Sequence, residues 1–168
     1  MPGTLSSGSS AAIAATSVPV VVSVVLAEEH AGMRRTLRRL IDGQPDLRVV
    51  AEADTRDAAV QAARRHRATV LVLDLSLADN ASLDVIPRLA AAMRATSIVV
   101  ISMHDDAPVA QLLQRGAVGF VLKDHADSEL APVIRAASQA ARLRGTPFAS
   151  VGELDGARTR FPRTSSGT

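Results

Sequence analysis

Short, uninterrupted runs of branched aliphatic residues recur along the chain, and each stops at a polar or charged side chain. The runs are Val20 to Leu26, the more polar Leu47 to Ala53, Thr69 to Leu73, Ser97 to Ile101, and Val118 to Leu122. A strand with one face in water alternates apolar and polar residues. A continuous run buries both faces and marks a parallel sheet sandwiched between helices. Between the runs the apolar spacing lengthens to that of a helix. Met33, Leu37, Leu40 and Ile41 form one stripe, with Arg34, Arg35, Arg38 and Arg39 beside it as a solvated face, and Gly43 and Pro45 end the segment. An Ala-rich helix capped by Asp54-Thr55 runs to about Arg65. A third helix carries Leu83, Ile86, Leu89 and Met93 behind a Ser82 cap, and a short fourth opens at Pro108 and stops at Gly116. The last spans about Ala126 to Leu143, with Leu130, Val133, Ile134 and Ala137 inward.

Five strands alternating with five helices predict an α/β architecture: a flavodoxin-like, doubly wound five-stranded parallel sheet of order 2-1-3-4-5. The more polar second run and the short fifth belong at its edges. Aromatic residues are 2% of the chain, so the core is aliphatic. With no cysteine, disulfides and thiolate metal sites are excluded. A net charge of +2 is too small to imply a nucleic-acid partner. No stretch reaches the ~20 apolar residues of a membrane span, and no basic segment precedes the first apolar run as in a secretory signal. The expectation is a cytoplasmic protein with no membrane partner. Residues 1–17, rich in Ser, Ala, Gly and Thr, read as a disordered segment; 18–144 as the folded domain; and 145–168, without apolar periodicity, as a flexible tail.

In open α/β sheets ligands bind outside the carboxyl ends of the strands. That edge receives Glu28 and Glu29 after the first strand, Asp74 after the third, Ser102 after the fourth, and Lys123, the single lysine of the chain, after the fifth. Taken singly, each has an ordinary explanation as a strand end, a turn acceptor or a surface charge. Converging on one rim, they suit phosphoryl transfer to a carboxylate. Clustered acids favour a hard divalent cation, most naturally Mg²⁺. An ionised Asp74 is the nucleophile, Lys123 neutralises phosphoryl oxygens, and Ser102 can hydrogen-bond the phosphoryl group and draw its loop inward.

The spans Val-Val-Leu-Ala-Glu-Glu-His, Val-Leu-Val-Leu-Asp-Leu, Val-Val-Ile-Ser-Met-His-Asp-Asp and Arg-Gly-Ala-Val-Gly-Phe-Val-Leu-Lys-Asp resemble response regulator receiver domains of two-component systems. They are most similar to the LuxR/NarL-type branch, over roughly Val18 to Arg144. The resemblance implies Asp74 as phosphoacceptor, Glu28 and Glu29 as the acidic metal pair, and Ser76 as donor of a backbone carbonyl to Mg²⁺. It further implies Lys123 as the conserved-type lysine, with Ser102 and Phe120 as the switch hydroxyl and aromatic. A sensor histidine kinase is the implied phosphodonor. The output protein is not named by the sequence, and a homodimer is a further partner to test.

The chain departs from that pattern in four places, one of them a stretch from Ser102 to Gly116 that is one residue shorter than the pattern leads one to expect. The acidic pair is Glu-Glu where Asp-Asp or Glu-Asp is usual, which predicts weaker Mg²⁺ binding because Mg²⁺ demands near-ideal geometry. The loop after the phosphoacceptor has Leu77-Ala78 and Ala81-Ser82 in place of Met-Pro and Asp-Gly, with Asn80 able to take a left-handed conformation. No helix-turn-helix pattern follows Arg144, so no DNA-binding domain is expected in this chain. The leading expectation is a phosphorylated receiver signalling through protein contacts. The alternatives are an unphosphorylated pseudo-receiver and the receiver part of a truncated LuxR-type regulator. An aspartyl-nucleophile phosphohydrolase is disfavoured by Ser76 standing where such enzymes place a second acid, so the chain is not expected to be an enzyme.

Overall fold

The computed structural model describes residues 20–78, 85–104 and 108–145. The segments expected to be disordered or flexible at the two ends, the Ser82 cap, Leu83, and the Asn80 turn lie outside the described residues. Five parallel strands form one sheet: β1 (Val22–Ala27), β2 (Leu47–Ala53), β3 (Val70–Asp74), β4 (Ser97–Ser102) and β5 (Ala117–Leu122). Their order is β2-β1-β3-β4-β5, the flavodoxin-like arrangement read from the sequence. The helices are α1 (Ala31–Asp42), α2 (Arg56–His66), α3 (Val85–Ala92), α4 (Val109–Gln114) and α5 (Ala126–Gly145). Among the described residues none is long and apolar enough to cross a membrane.

The apolar runs bury both faces, as their continuity requires. On one side Val24, Leu26, Val70, Val72, Val99 and Ile101 pack against Leu37 and Ile41 of α1 and Leu130 and Ile134 of α5. On the other, Val25, Leu71, Leu73, Ile98 and Val100 meet Ala59 and Ala63 of α2, Ile86 and Leu89 of α3, and Leu112 of α4. Each fully buried Leu or Ile contributes about 1.5–3 kcal/mol of hydrophobic stabilisation. α1, α3, α4 and α5 meet the sheet through Leu and Ile, while α2 meets it through alanines.

β1 starts at Val22, two residues later than its apolar run. Its pairing begins where Val22 stands beside Leu47, so Val20 and Val21 have no strand beside them and are exposed. α2 follows the sequence closely. Thr55 accepts from the Ala58 amide, and the helix closes with Arg67 left-handed at φ 47°. β5 approaches α5 closely at Gly119, where a Cβ would lie 2.5 Å from Val133 Cγ1. On the α1 and α5 side, Arg135 donates from Nε to Asp46 Oδ2 and from a terminal nitrogen to Asp46 Oδ1, both at 2.7 Å, tying α5 to the turn before β2. That guanidinium holds the Asp46 carboxyl below the ordinary carboxylate range.

Candidate functional site

The strand ends deliver side chains to one rim because the strands are parallel and in register. Leu73 of β3 stands beside Ala27 of β1, and Asp74 beside Ile101 of β4. Ser102 of β4 stands beside Leu122 of β5, so Glu28, Asp74, Ser102 and Lys123 each sit at or one step past a strand end. All four are buried.

Buried charge must be compensated. Here Lys123 does so for two carboxylates: its Nζ lies 2.5 Å from Glu28 Oε2 and 3.0 Å from Asp74 Oδ2. The three side chains are 4%, 0% and 4% exposed for Lys123, Glu28 and Asp74. Asp74 also accepts from Ser76, by the backbone amide to Oδ1 at 3.3 Å and by the hydroxyl to Oδ2 at 2.5 Å. Glu28 Oε1 accepts from the His30 amide at 3.0 Å. Glu28 Oε2 contacts the ammonium but has no well-aligned hydrogen-bond donor.

Glu28, His30 and Asp74 offer ligand atoms that all lie within 4.8 Å of one another, a fit for one divalent cation. Glu29 is not among these three. Its side chain is 51% exposed, and its contact is to the His30 ring at 3.7 Å. The structure thus turns the second acid of the pair outward and brings the next residue, an imidazole, toward the pocket. Ser76, read from the sequence only for its carbonyl, also spends its hydroxyl on the Asp74 carboxylate.

Arg34 is a further residue that sequence reasoning assigned elsewhere. Expected on a solvated helix face, it instead donates to the backbone carbonyls of Glu28 at 2.6 Å and Glu29 at 3.3 Å. It pins the loop that carries both acids. The signal was present in its position one turn into the helix that follows that loop, four residues after His30. Arg38 likewise pairs with Asp42 and Glu52 rather than standing alone. Ser102 Oγ accepts from the His104 amide at 3.1 Å, leaving its proton free to donate. Phe120, the one aromatic side chain among the described residues, is partly buried against the α2, α3 and α4 side of the sheet.

Comparison with known proteins bears on the fold. Residues 24–135 match the family model of the response regulator receiver domain. The oxygen regulatory protein NreC of Staphylococcus epidermidis is 32% identical over 120 residues, covering 70% of this chain and 55% of NreC. The response regulator UvrY of Escherichia coli is 24% identical over 149 residues, 86% of this chain and 68% of UvrY. Against NreC, then, the chain spans about half the relative's length. The signal receiver domain of the response regulator NarL from Mycobacterium tuberculosis superposes with a TM-score of 0.62 at 30% identity, covering 74% of this chain and 98% of that one. A LuxR-family response regulator from Aurantimonas gives 0.64 at 27% identity, over 71% of this chain and 86% of that one.

Proposed function

The chain belongs to the response regulator receiver family, and from that premise we propose that it accepts a phosphoryl group on Asp74 from a sensor histidine kinase. The observation that carries this reading is the Lys123 ammonium bound to Asp74 Oδ2 in a pocket with a second buried carboxylate. Receivers are signalling domains, and the proposed output is a change of surface read by a partner protein, in the cytoplasm, by the domain spanning residues 18–144.

In the reaction a carboxylate oxygen of Asp74 attacks the phosphorus of a phosphohistidine. The O–P bond forms as the N–P bond breaks, and the leaving imidazole nitrogen takes up a proton. Lys123 supplies positive charge to the phosphoryl oxygens. Glu28 and Asp74, with a third donor, would hold Mg²⁺, which supplies further charge against those oxygens when bound. Arg34 fixes the Glu28 loop through its two carbonyl bonds. Ser102, through its free hydroxyl proton, draws toward the new phosphoryl group, and Phe120 on the neighbouring strand repacks in response.

One observation favours the second reading, a pseudo-receiver that binds partners unphosphorylated. Glu28, one methylene longer than Asp, reaches Lys123 and shares the ammonium that Asp74 needs. Intact-mass spectrometry after incubation with Mg²⁺ and acetyl phosphate separates the two. A single labile phosphate-sized gain, absent in Asp74→Asn, supports the receiver. No gain, either with acetyl phosphate or from a panel of phosphorylated histidine kinases, while a working receiver is labelled in parallel, transfers the case to the pseudo-receiver.

A further inference from the structure

The donor set of the acidic pocket differs from what an Mg²⁺ site calls for. Mg²⁺ is a hard ion that takes oxygen ligands and retains several waters. Here the three groups that converge within 4.8 Å are two carboxylates and an imidazole, and the neighbouring acid, Glu29, is turned outward. Nitrogen donors of this kind suit first-row transition ions and add almost nothing for Mg²⁺.

Electrostatics point the same way. Two carboxylates share the pocket with one ammonium, so the buried group carries one net negative charge, not the two or three that would attract a hard ion on charge alone. An ion whose bonds have covalent character loses less from that reduction. Glu28 Oε2 faces the Lys123 ammonium, and Oε1, 3.2 Å from His30 Nδ1, is the oxygen on the imidazole side. Among the described residues the His30 ring, 72% exposed, has ion-pair contacts with the two neighbouring glutamates alone. Its backbone amide holds Glu28 Oε1 at 3.0 Å, which keeps that carboxylate turned toward the imidazole.

We infer that Glu28, His30 and Asp74 form a site selective for first-row transition divalent cations over Mg²⁺, with His30 as the residue that sets the selectivity. The inference rests on the reading that this pocket binds a divalent cation, and it changes which ion the pocket takes.

The test uses the full untagged chain without any phosphodonor, so that its outcome is separate from phosphorylation. Calorimetric titrations with Mn²⁺, Zn²⁺ and Mg²⁺ are made on the wild type, His30→Ala and Glu28→Gln. Pulsed electron paramagnetic resonance of bound Mn²⁺ reads coupling to a ¹⁴N nucleus. The expected result is tighter binding of Mn²⁺ and Zn²⁺ than of Mg²⁺ and a ¹⁴N coupling that disappears in His30→Ala. That variant should lose at least about tenfold in affinity for Mn²⁺ and Zn²⁺ and less than about threefold for Mg²⁺. Glu28→Gln should weaken all three ions. The inference is overturned if His30→Ala changes the three ions equally or not at all. It is also overturned if Zn²⁺ binding survives Glu28→Gln, which would place the ion at one of the other histidines. A protein that binds Mn²⁺ through His30 yet is never phosphorylated would sink the proposed function while leaving this inference standing.

Discussion

Lys123 is the residue on which the buried charge of the site turns, and replacing it with Met isolates that role. Methionine keeps an unbranched stem of similar length while removing the ammonium. At an effective dielectric of about 20, the attraction across 2.5 Å to Glu28 is about 7 kcal/mol and that across 3.0 Å to Asp74 about 6 kcal/mol. The two carboxylates, with ligand oxygens within 4.8 Å, repel by at least about 3 kcal/mol and keep doing so after the lysine is gone. Burial of the ammonium cancels part of that attraction, so these figures are upper bounds; breaking a buried pair from one side costs about 3–5 kcal/mol, and that is the loss expected here. In a domain whose whole stability is about 5–15 kcal/mol, that loss is severe. Urea unfolding followed by far-UV circular dichroism reads it directly, since a chain without Trp or Tyr offers no useful intrinsic fluorescence. Adding Glu28→Gln to Lys123→Met removes one of the two stranded charges and their mutual repulsion, and should restore about half of the loss. A single variant that loses less than about 1 kcal/mol, the range of an exposed ion pair, would refute the buried triad.

Two further outcomes follow from contacts away from the site. Arg135 depresses the Asp46 carboxyl below its unfolded value of about 3.9. The pair's contribution is therefore present above about pH 4 and lost as pH falls through the lower folded value. Asp46→Asn should flatten the acid limb of the stability profile below about pH 4; an unchanged limb would refute the linkage. Gly119→Ala places a methyl 2.5 Å from Val133 Cγ1 and should cost about 1–3 kcal/mol by overpacking. Val133→Ala in the same chain should recover most of that in chemical denaturation, and a purely additive loss would show that the contact is not the cause.

The sheet was legible because its signal is one-dimensional. Continuous runs of Val, Ile and Leu identify strands buried on both faces without knowledge of their neighbours, and the polar character of β2 and the shortness of β5 place both at edges. The site was legible as far as strand ends determine it: Glu28, Asp74, Ser102 and Lys123 fall on one rim once the strands are parallel. What escaped depends on torsions after the strand. Glu29 and His30 are adjacent, and whether an acid or an imidazole faces the pocket is decided by how the β1–α1 loop turns, which no spacing rule encodes. Arg34 escaped for a related reason. A helix wheel shows that it lies off the apolar stripe, but not that the preceding loop folds back to present two carbonyls to it.

The helices around the sheet are unequally fastened. α1 and α5 are held by Leu37, Ile41, Leu130 and Ile134 and by the Arg135 clamp, whereas α4 spans six residues and has Leu112 as its buried side chain. Amide hydrogen exchange should accordingly be faster in α4 than in α1 and α5, the helices that carry more anchors.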